Sequence, residues 1–236
     1  MSEHKNETLM NRRNFFKIAS TSVALTGAAI LLTGCEEETA SFANTAKMAI
    51  LMDSSLCVEC HACRVACQNH NGLPVEQSYI SFPSIEKGKF PKVEYHLTRK
   101  SCMHCTDAPC VDACPMQALY KGESGFTHMN FEACIGCGVC KSVCPYDIPV
   151  INEGKMYKCT GCQDLVSAGK EPACVDTCIS NAVQYGSAEE LIAKANERVA
   201  KIKGKYPAAA LYGVTQQNGL GLLLILRTDA KDFALV

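Results

Sequence analysis

Sixteen of the chain's 17 cysteines lie between Cys57 and Cys178 and fall into four groups of four. The first is Cys57, Cys60, Cys63 and Cys67, and the second is Cys102, Cys105, Cys110 and Cys114. The third is Cys134, Cys137, Cys140 and Cys144, and the fourth is Cys159, Cys162, Cys174 and Cys178. Every group opens with a Cys-x2-Cys step and closes with an x3-Cys step. Thiolates are soft ligands, suited to iron-sulfur clusters, copper(I) and zinc. In the first and third groups, three thiolates at three-residue spacing let one tight loop wrap three irons of a [4Fe-4S] cubane. The last cysteine, at the start of the following helix, then points to a second cluster. Cys114 and Cys144 are each followed by proline, Pro115 and Pro145, which completes this signature in the second and third groups.

Two other chemistries use paired thiols. A disulfide framework suits an exported chain, but it has no need of four copies of one opening and one closing step. Tetrahedral zinc takes two Cys-x2-Cys knuckles per ion, which leaves the middle thiol of Cys57, Cys60 and Cys63 without a role. Counting ligands as cubanes uses all sixteen thiols and predicts four [4Fe-4S] clusters. Only 19 residues separate Cys114 from Cys134, so the second and third groups pair most naturally. This predicts Cys102, Cys105 and Cys110 with Cys144, and Cys134, Cys137 and Cys140 with Cys114. The remaining sets are then Cys57, Cys60 and Cys63 with Cys178, and Cys159, Cys162 and Cys174 with Cys67. The reading is the bacterial ferredoxin run used twice, as two nested double-cluster modules.

The elements that hold these loops have little apolar material of their own. Hydrophobic residues make up 47% of the chain, but cysteine is a large share of them, aromatics are 7% and tryptophan is absent. Metal centres are therefore expected to organise the interior. Within 71–98, Val93, Tyr95 and Leu97 alternate like a strand in an inserted loop that could make subunit contacts. Ser187 and Glu190 form a capping box ahead of an amphipathic helix carrying Leu191, Ile192, Ala195, Val199 and Ile202, with Gly204 as its stop. Further on, 211–215 and 220–227 flank Asn218-Gly219 as a hairpin, and the apolar run 222–226 reads as an exposed strand at a subunit interface. The fold class expected is α+β, with large irregular content.

Around the loops, His61 and His104 are not needed as ligands and read as packing or solvent-facing residues. Arg99, Lys100, Lys155 and Lys158 flank the loops, where a positive charge would raise a cluster potential or simply be solvated. Asp53, Asp112, Asp147 and Asp164 make no acid/base pair, and no nucleophile triad or nucleotide fingerprint appears. With 23 Lys+Arg against 24 Asp+Glu, the chain has no polybasic footprint for nucleic acid. No catalytic residue is expected.

The front of the chain reads as an address. Arg12-Arg13 precedes Phe15-Phe16 and a long uncharged run, the pattern of a twin-arginine export signal over 1–34. That run carries too many Ser, Thr and Gly residues for a spanning helix. It ends Leu32-Thr33-Gly34-Cys35, which resembles a bacterial lipobox with Cys35 as the lipidated residue; the alternative is cleavage near 43–46. A short polar tether over 35–47 would lead to a four-cluster domain over 48–186 and a C-terminal helix and hairpin over 187–236.

Over about 50–186 the sequence resembles the four-cluster iron-sulfur subunits of molybdopterin oxidoreductases, which serve dimethyl sulfoxide and polysulfide reductases, formate dehydrogenases and periplasmic nitrite reduction. The resemblance rests on the cysteine groups with the segments Phe90-Pro91-Lys92-Val93, Ala108-Pro109-Cys110-Val111-Asp112-Ala113-Cys114-Pro115 and Gly169-Lys170-Glu171-Pro172-Ala173-Cys174. It is strongest to the exported nitrite-reduction and polysulfide reductase type. The family implies the same nesting and a non-catalytic wire between a quinone-interacting integral membrane subunit and a molybdopterin catalytic subunit. A free-standing polyferredoxin donating to a multihaem cytochrome c is the alternative, and a metal-stabilised scaffold without redox activity is a third. Ile179 stands after Cys178 where proline is common. The export signal and resemblance together imply a periplasmic or outer-face location.

Overall fold

The computed structural model describes residues 46–235. The export signal over 1–34, Cys35 and nearly all of the tether lie outside the described residues. Four strands form the main sheet: β1 (Met48–Asp53), β8 (Val183–Ser187), β9 (Ala210–Tyr212) and β10 (Leu222–Leu226). They are ordered β8-β1-β10-β9. β1 and β10 run parallel, with Ile50 opposite Leu222 and Met52 opposite Leu224, and the outer pairings are antiparallel.

Both central strands are apolar runs because both of their faces are covered. One face presents Ala49, Leu51, Leu223 and Ile225 to α6 (Ala188–Ile202), which answers with Leu191, Ala195, Val199 and Ile202. The other face presents Ile50, Met52, Leu222 and Leu224 to a core that includes Phe126, Val175, Cys63, Cys67 and Cys174. The sheet thus sits between a helix and the thiol-bearing loops. The run 222–226 is therefore not an exposed strand at a subunit interface: all five residues are buried. It occupies the middle of the sheet because an all-apolar strand gains most with neither face in water.

The helix α6 begins where expected, with the backbone N–H of Glu190 donating to Ser187 Oγ at 3.3 Å. Glu189 and Glu190 in the first turn and Lys201 in the last complement its dipole. Its buried residues recur every three or four positions along one stripe. Asp53, at the end of β1 and only 2% exposed, accepts from Arg198 Nε at 2.9 Å and from Ser55 N and Oγ at 2.7 and 2.6 Å. That carboxylate clamps α6 to the strand.

The expected strand in the inserted loop is β3 (Lys92–Leu97), paired antiparallel with β2 (Ser84–Lys89). This ribbon is tied to the C-terminal segment through Lys87, which bonds Thr228 Oγ1 at 2.8 Å and pairs with Asp232, and through Arg227, which donates to Tyr95 O at 2.8 Å. Two further ribbons, β4 (Leu119–Lys121) with β5 (Thr127–Met129) and β6 (Val150–Asn152) with β7 (Lys155–Tyr157), carry the segments between cysteine groups. Short helices complete the loops: α1 (Ala62–His70), α2 (Pro109–Asp112), α3 (Val139–Ser142), α4 (Gln163–Ser167) and α5 (Ala173–Asp176).

Candidate iron-sulfur centres

Each Cys-x2-Cys loop contains residues in the left-handed region. These are Glu59 and His61 in the first, His104 in the second, Gly136 and Gly138 in the third, and Gly161 with Cys162 in the fourth. Such turns direct successive N–H groups toward the inside of the loop. Among them Gly161 N donates to Cys159 Sγ at 3.4 Å; beyond these loops, Ala118 N donates to the closing Cys114 Sγ at 3.3 Å. Backbone N–H groups of Glu59, Lys141 and Ala173 likewise favour the thiolates of Cys57, Cys140 and Cys162.

The closing cysteines of three groups share one local turn. Gln117, Asp147 and Asn181 are each left-handed and donate N–H to the carbonyl of the cysteine three residues before, Cys114, Cys144 and Cys178, at 3.1, 3.1 and 3.2 Å. The turn after Cys178 forms without the proline found in the other two. Neither closing cysteine expected to open a helix does so: Cys144 lies just past the end of α3, and Cys67 lies well inside α1, where Asn71 donates to its carbonyl at 2.8 Å from the side chain.

The fold brings thiols of different groups together. Cys114 joins Cys134, Cys137 and Cys140 around one small cavity, otherwise lined by apolar side chains such as Leu119, Met129, Ile151 and Met156. Cys144 joins Cys102, Cys105 and Cys110 around a second, with Tyr146, Ile148 and Lys158 in its wall. Around the other loops, the charge of Cys178 acts on Cys57 together with that of Cys60. The charges of Cys159, Cys174 and Cys162 act on Cys67. Cys159 also feels Cys102, so the two halves meet there.

All sixteen thiols are free, so no disulfide competes for them. Among the described residues, no three His, Cys, Asp or Glu side chains converge closely enough to hold a single metal ion. Four thiols instead line each of the two cavities, the number of cysteine ligands a [4Fe-4S] cluster takes. Burial, then the neighbouring thiolates of Cys102, Cys110 and Cys144, push Cys105 up to about 12. Burial, opposed by Arg99, pushes Cys63 up to about 11 and Cys159 to about 12. Thiols crowded this tightly ionise together only beside a compensating positive charge, and thiolate-bound iron supplies one. The donor set fits iron-sulfur clusters.

Four cations sit close to the cysteine loops. Lys121 Nζ donates to Cys105 O at 2.6 Å, Lys155 Nζ to Cys134 O at 2.7 Å, and Lys158 Nζ to Cys159 O at 2.9 Å and Thr127 O at 2.5 Å. Each lysine thus pins the backbone of a different cysteine group. Arg99 instead donates from Nη1 to Cys174 Sγ at 3.4 Å and from Nε to Ser101 Oγ at 3.0 Å. Burial disfavours its charge, but the thiolates of Cys174, Cys159 and Cys63 outweigh that and hold it above the ordinary arginine value. Arg99 and Lys158 are 1% and 3% exposed, so plain solvation does not describe them. It does describe Lys100, which is exposed. Lys121 carried no signal in the sequence, because its target lies 16 residues earlier and across a ribbon.

The histidines are not ligands to these cavities. His61 is exposed, edge-on to Phe82 at 5.3 Å. His104 is buried against Phe126 at 4.6 Å between ring centroids, and its Nδ1 accepts the Thr127 N–H at 3.1 Å. Burial, then the charges of Lys158 and Lys121, hold it well below the ordinary imidazole value, so it is neutral with its proton on Nε2. The carboxylates stay dispersed: Asp53 is engaged by Arg198 and Asp164 by His70 at 3.1 Å.

Comparison with known proteins agrees with this chemistry. A 4Fe-4S dicluster domain family matches residues 93–188, and a 4Fe-4S binding domain family matches residues 54–70. The chain is 36% identical over 201 residues to the nitrate-inducible formate dehydrogenase iron-sulfur subunit of Escherichia coli K12, covering 77% of this chain and 68% of the relative. It is 34% identical over 220 residues to the "Protein NrfC homolog" of Haemophilus influenzae, covering 89% and 94%. It is 36% identical over 158 residues to a subunit of the anaerobic dimethyl sulfoxide reductase of E. coli K12, covering 62% and 77%.

Proposed function

We propose, for a chain that belongs to the family of 4Fe-4S iron-sulfur subunits of formate dehydrogenase and dimethyl sulfoxide reductase type, that it relays electrons between a quinone-linked integral membrane subunit and a molybdopterin-containing catalytic subunit. The observation that carries this reading is the sharing of one cavity by thiols of two groups: Cys114 with Cys134, Cys137 and Cys140, and Cys144 with Cys102, Cys105 and Cys110. On that basis the sixteen cysteines hold four [4Fe-4S] clusters. The outer sets are Cys57, Cys60, Cys63 and Cys178, and Cys67, Cys159, Cys162 and Cys174, which the mutual effects of their charges support.

Bound clusters supply one-electron carriers whose potentials follow charge, hydrogen bonding to sulfur and exposure. The chain's part is to hold them. Left-handed loop residues present N–H groups to the sulfurs, lysines tie down the loops, and the apolar cavity walls keep water out. No described helix is long and apolar enough to cross a membrane, and the reading places attachment in a partner subunit and a lipid on Cys35. Export of the folded, loaded protein by the twin-arginine route puts it at the outer face of the cytoplasmic membrane.

The NrfC homolog is matched nearly end to end, and this favours one second reading, a free-standing polyferredoxin carrier serving a multihaem cytochrome c. Native purification in mild detergent under anaerobic conditions, with subunit identification and metal analysis, decides between them. About 16 irons per chain, four for each of four cubanes, together with molybdenum or tungsten and a large partner, is the result expected. The same iron with neither metal, alone or with a haem protein, would overturn the complex in favour of the carrier.

A further inference from the structure

The charge of Arg99 is left unexplained by ordinary packing. Its side chain is among the largest fully buried ones in the protein. The ion pairs found among the described residues join His70 to Asp164, Lys87 to Asp232, His96 to Glu94 and Arg198 to Asp53, so no carboxylate balances it. A buried guanidinium without a counter-charge is strongly disfavoured. The negative groups around it are thiolates. Arg99 donates to Cys174 Sγ at 3.4 Å, and its charge acts on Cys67, Cys159 and Cys162 as well as on Cys63 of the neighbouring set. Ser101 Oγ receives its Nε–H at 3.0 Å and keeps the planar fork aimed at the sulfur.

The other candidates act differently. Lys121, Lys155 and Lys158 spend their ammonium protons on backbone carbonyls. Among the described lysines and arginines, Arg99 alone hydrogen-bonds a cysteine sulfur.

We infer that Arg99 is the residue that sets the potential of one centre, the one held by Cys67, Cys159, Cys162 and Cys174, raising it above that of an otherwise identical centre without the guanidinium. This rests on the ligand sets proposed above. One electron entering that centre makes it more negative by one charge, with no proton taken up. A fixed positive charge in a water-poor site stabilises the reduced form more than the oxidised one. The hydrogen bond to Cys174 Sγ acts in the same direction, because it withdraws charge from a ligand sulfur. The effect on the neighbouring centre, felt through Cys63 alone, is smaller. Arg99 is thus a positioning and tuning residue that makes this one centre an easier electron acceptor.

The test uses the intact, anaerobically purified holoprotein with its partners, titrated with dithionite and followed by EPR. The centre is identified as the one whose signal Cys67→Ser alters. Arg99→Gln should disfavour its reduced form at least tenfold, a downward shift of about 59 mV for a one-electron couple, with a smaller fall at one further centre and none at the other two. Arg99→Lys retains the charge but not the fork, and should lower the same centre by less while keeping full iron. Should Arg99→Gln fail to load, Arg99→Lys alone decides, since a selective fall is then required. Unchanged midpoints in a fully loaded variant, or an equal shift at all centres, would overturn the inference. Failure of the underlying ligand assignment reads differently: wild-type protein with iron short of four cubanes, or Cys67→Ser altering the centre of its own group only.

Discussion

Replacing Gly136 by alanine should dislodge one centre and leave the rest. Gly136 sits between Cys134 and Cys137 at φ 65°, and a Cβ placed on it would stand 2.4 Å from the carbonyl carbon and oxygen of Gly154 and 2.9 Å from its Cα. Those atoms are backbone in the turn joining β6 to β7, so they cannot rotate aside as a side chain would. The left-handed conformation costs an alanine about 1–2 kcal/mol. Overpacking against a fixed neighbour adds about 1–3 kcal/mol. The sum of about 2–5 kcal/mol weakens the loop's hold on its ligand geometry by roughly thirtyfold at the low end. Gly138 supplies the control. It is also left-handed, at φ 82°, but a Cβ there meets nothing within 4 Å, so Gly138→Ala carries the conformational cost of about 1–2 kcal/mol alone. Iron retention against a graded chelator, with EPR to identify the centre lost, separates the two. Gly136→Ala should release about one quarter of the iron, the share of one cubane in four, at chelator concentrations that spare wild type and Gly138→Ala. Equal behaviour of the two variants, or iron lost evenly from all centres, would refute the steric reasoning.

Cys144→Ser should alter the EPR signal of the centre at Cys102, Cys105 and Cys110; a change confined to the Cys134, Cys137 and Cys140 centre would sink the proposed pairing. Arg198→Met leaves the Asp53 carboxylate buried with only Ser55 to bond it. Because the Arg198 side chain is itself 35% exposed, the loss should be about 1–3 kcal/mol rather than the full cost of a buried pair, read as a lower denaturant midpoint under anaerobic conditions. Stripping the iron should unequally loosen the molecule. The core between α6 and the sheet contains no cysteine, whereas the small core around Leu119 and Met156 is largely cysteine and its neighbours. Hydrogen exchange should therefore accelerate first over 110–157 and last in β1, β10 and α6, and uniform acceleration would contradict this.

Much of this protein was legible before folding was considered, and each legible part depended on neighbours in the chain. The cysteine spacings pointed to iron-sulfur chemistry and to the family because a ligand loop is a local object: three thiolates three residues apart reach one body whatever surrounds them. The start of α6 at Ser187 and its apolar stripe, and the alternation in β3, were readable for the same reason, since caps and periodicity are written within a turn or two. The run 222–226 differs from expectation because its composition reports burial without saying which elements provide it; β1, some 170 residues earlier, flanks it, α6 covers one face and the thiol-bearing loops cover the other. Nor did the sequence distinguish Arg99 from its neighbour Lys100, although one is enclosed and bonded to Cys174 and the other is exposed. Their charges are alike in the chain. What separates them is desolvation and the field of thiolates from distant groups, and those exist only once the sheet, the helix and the cysteine loops have packed around the same interior.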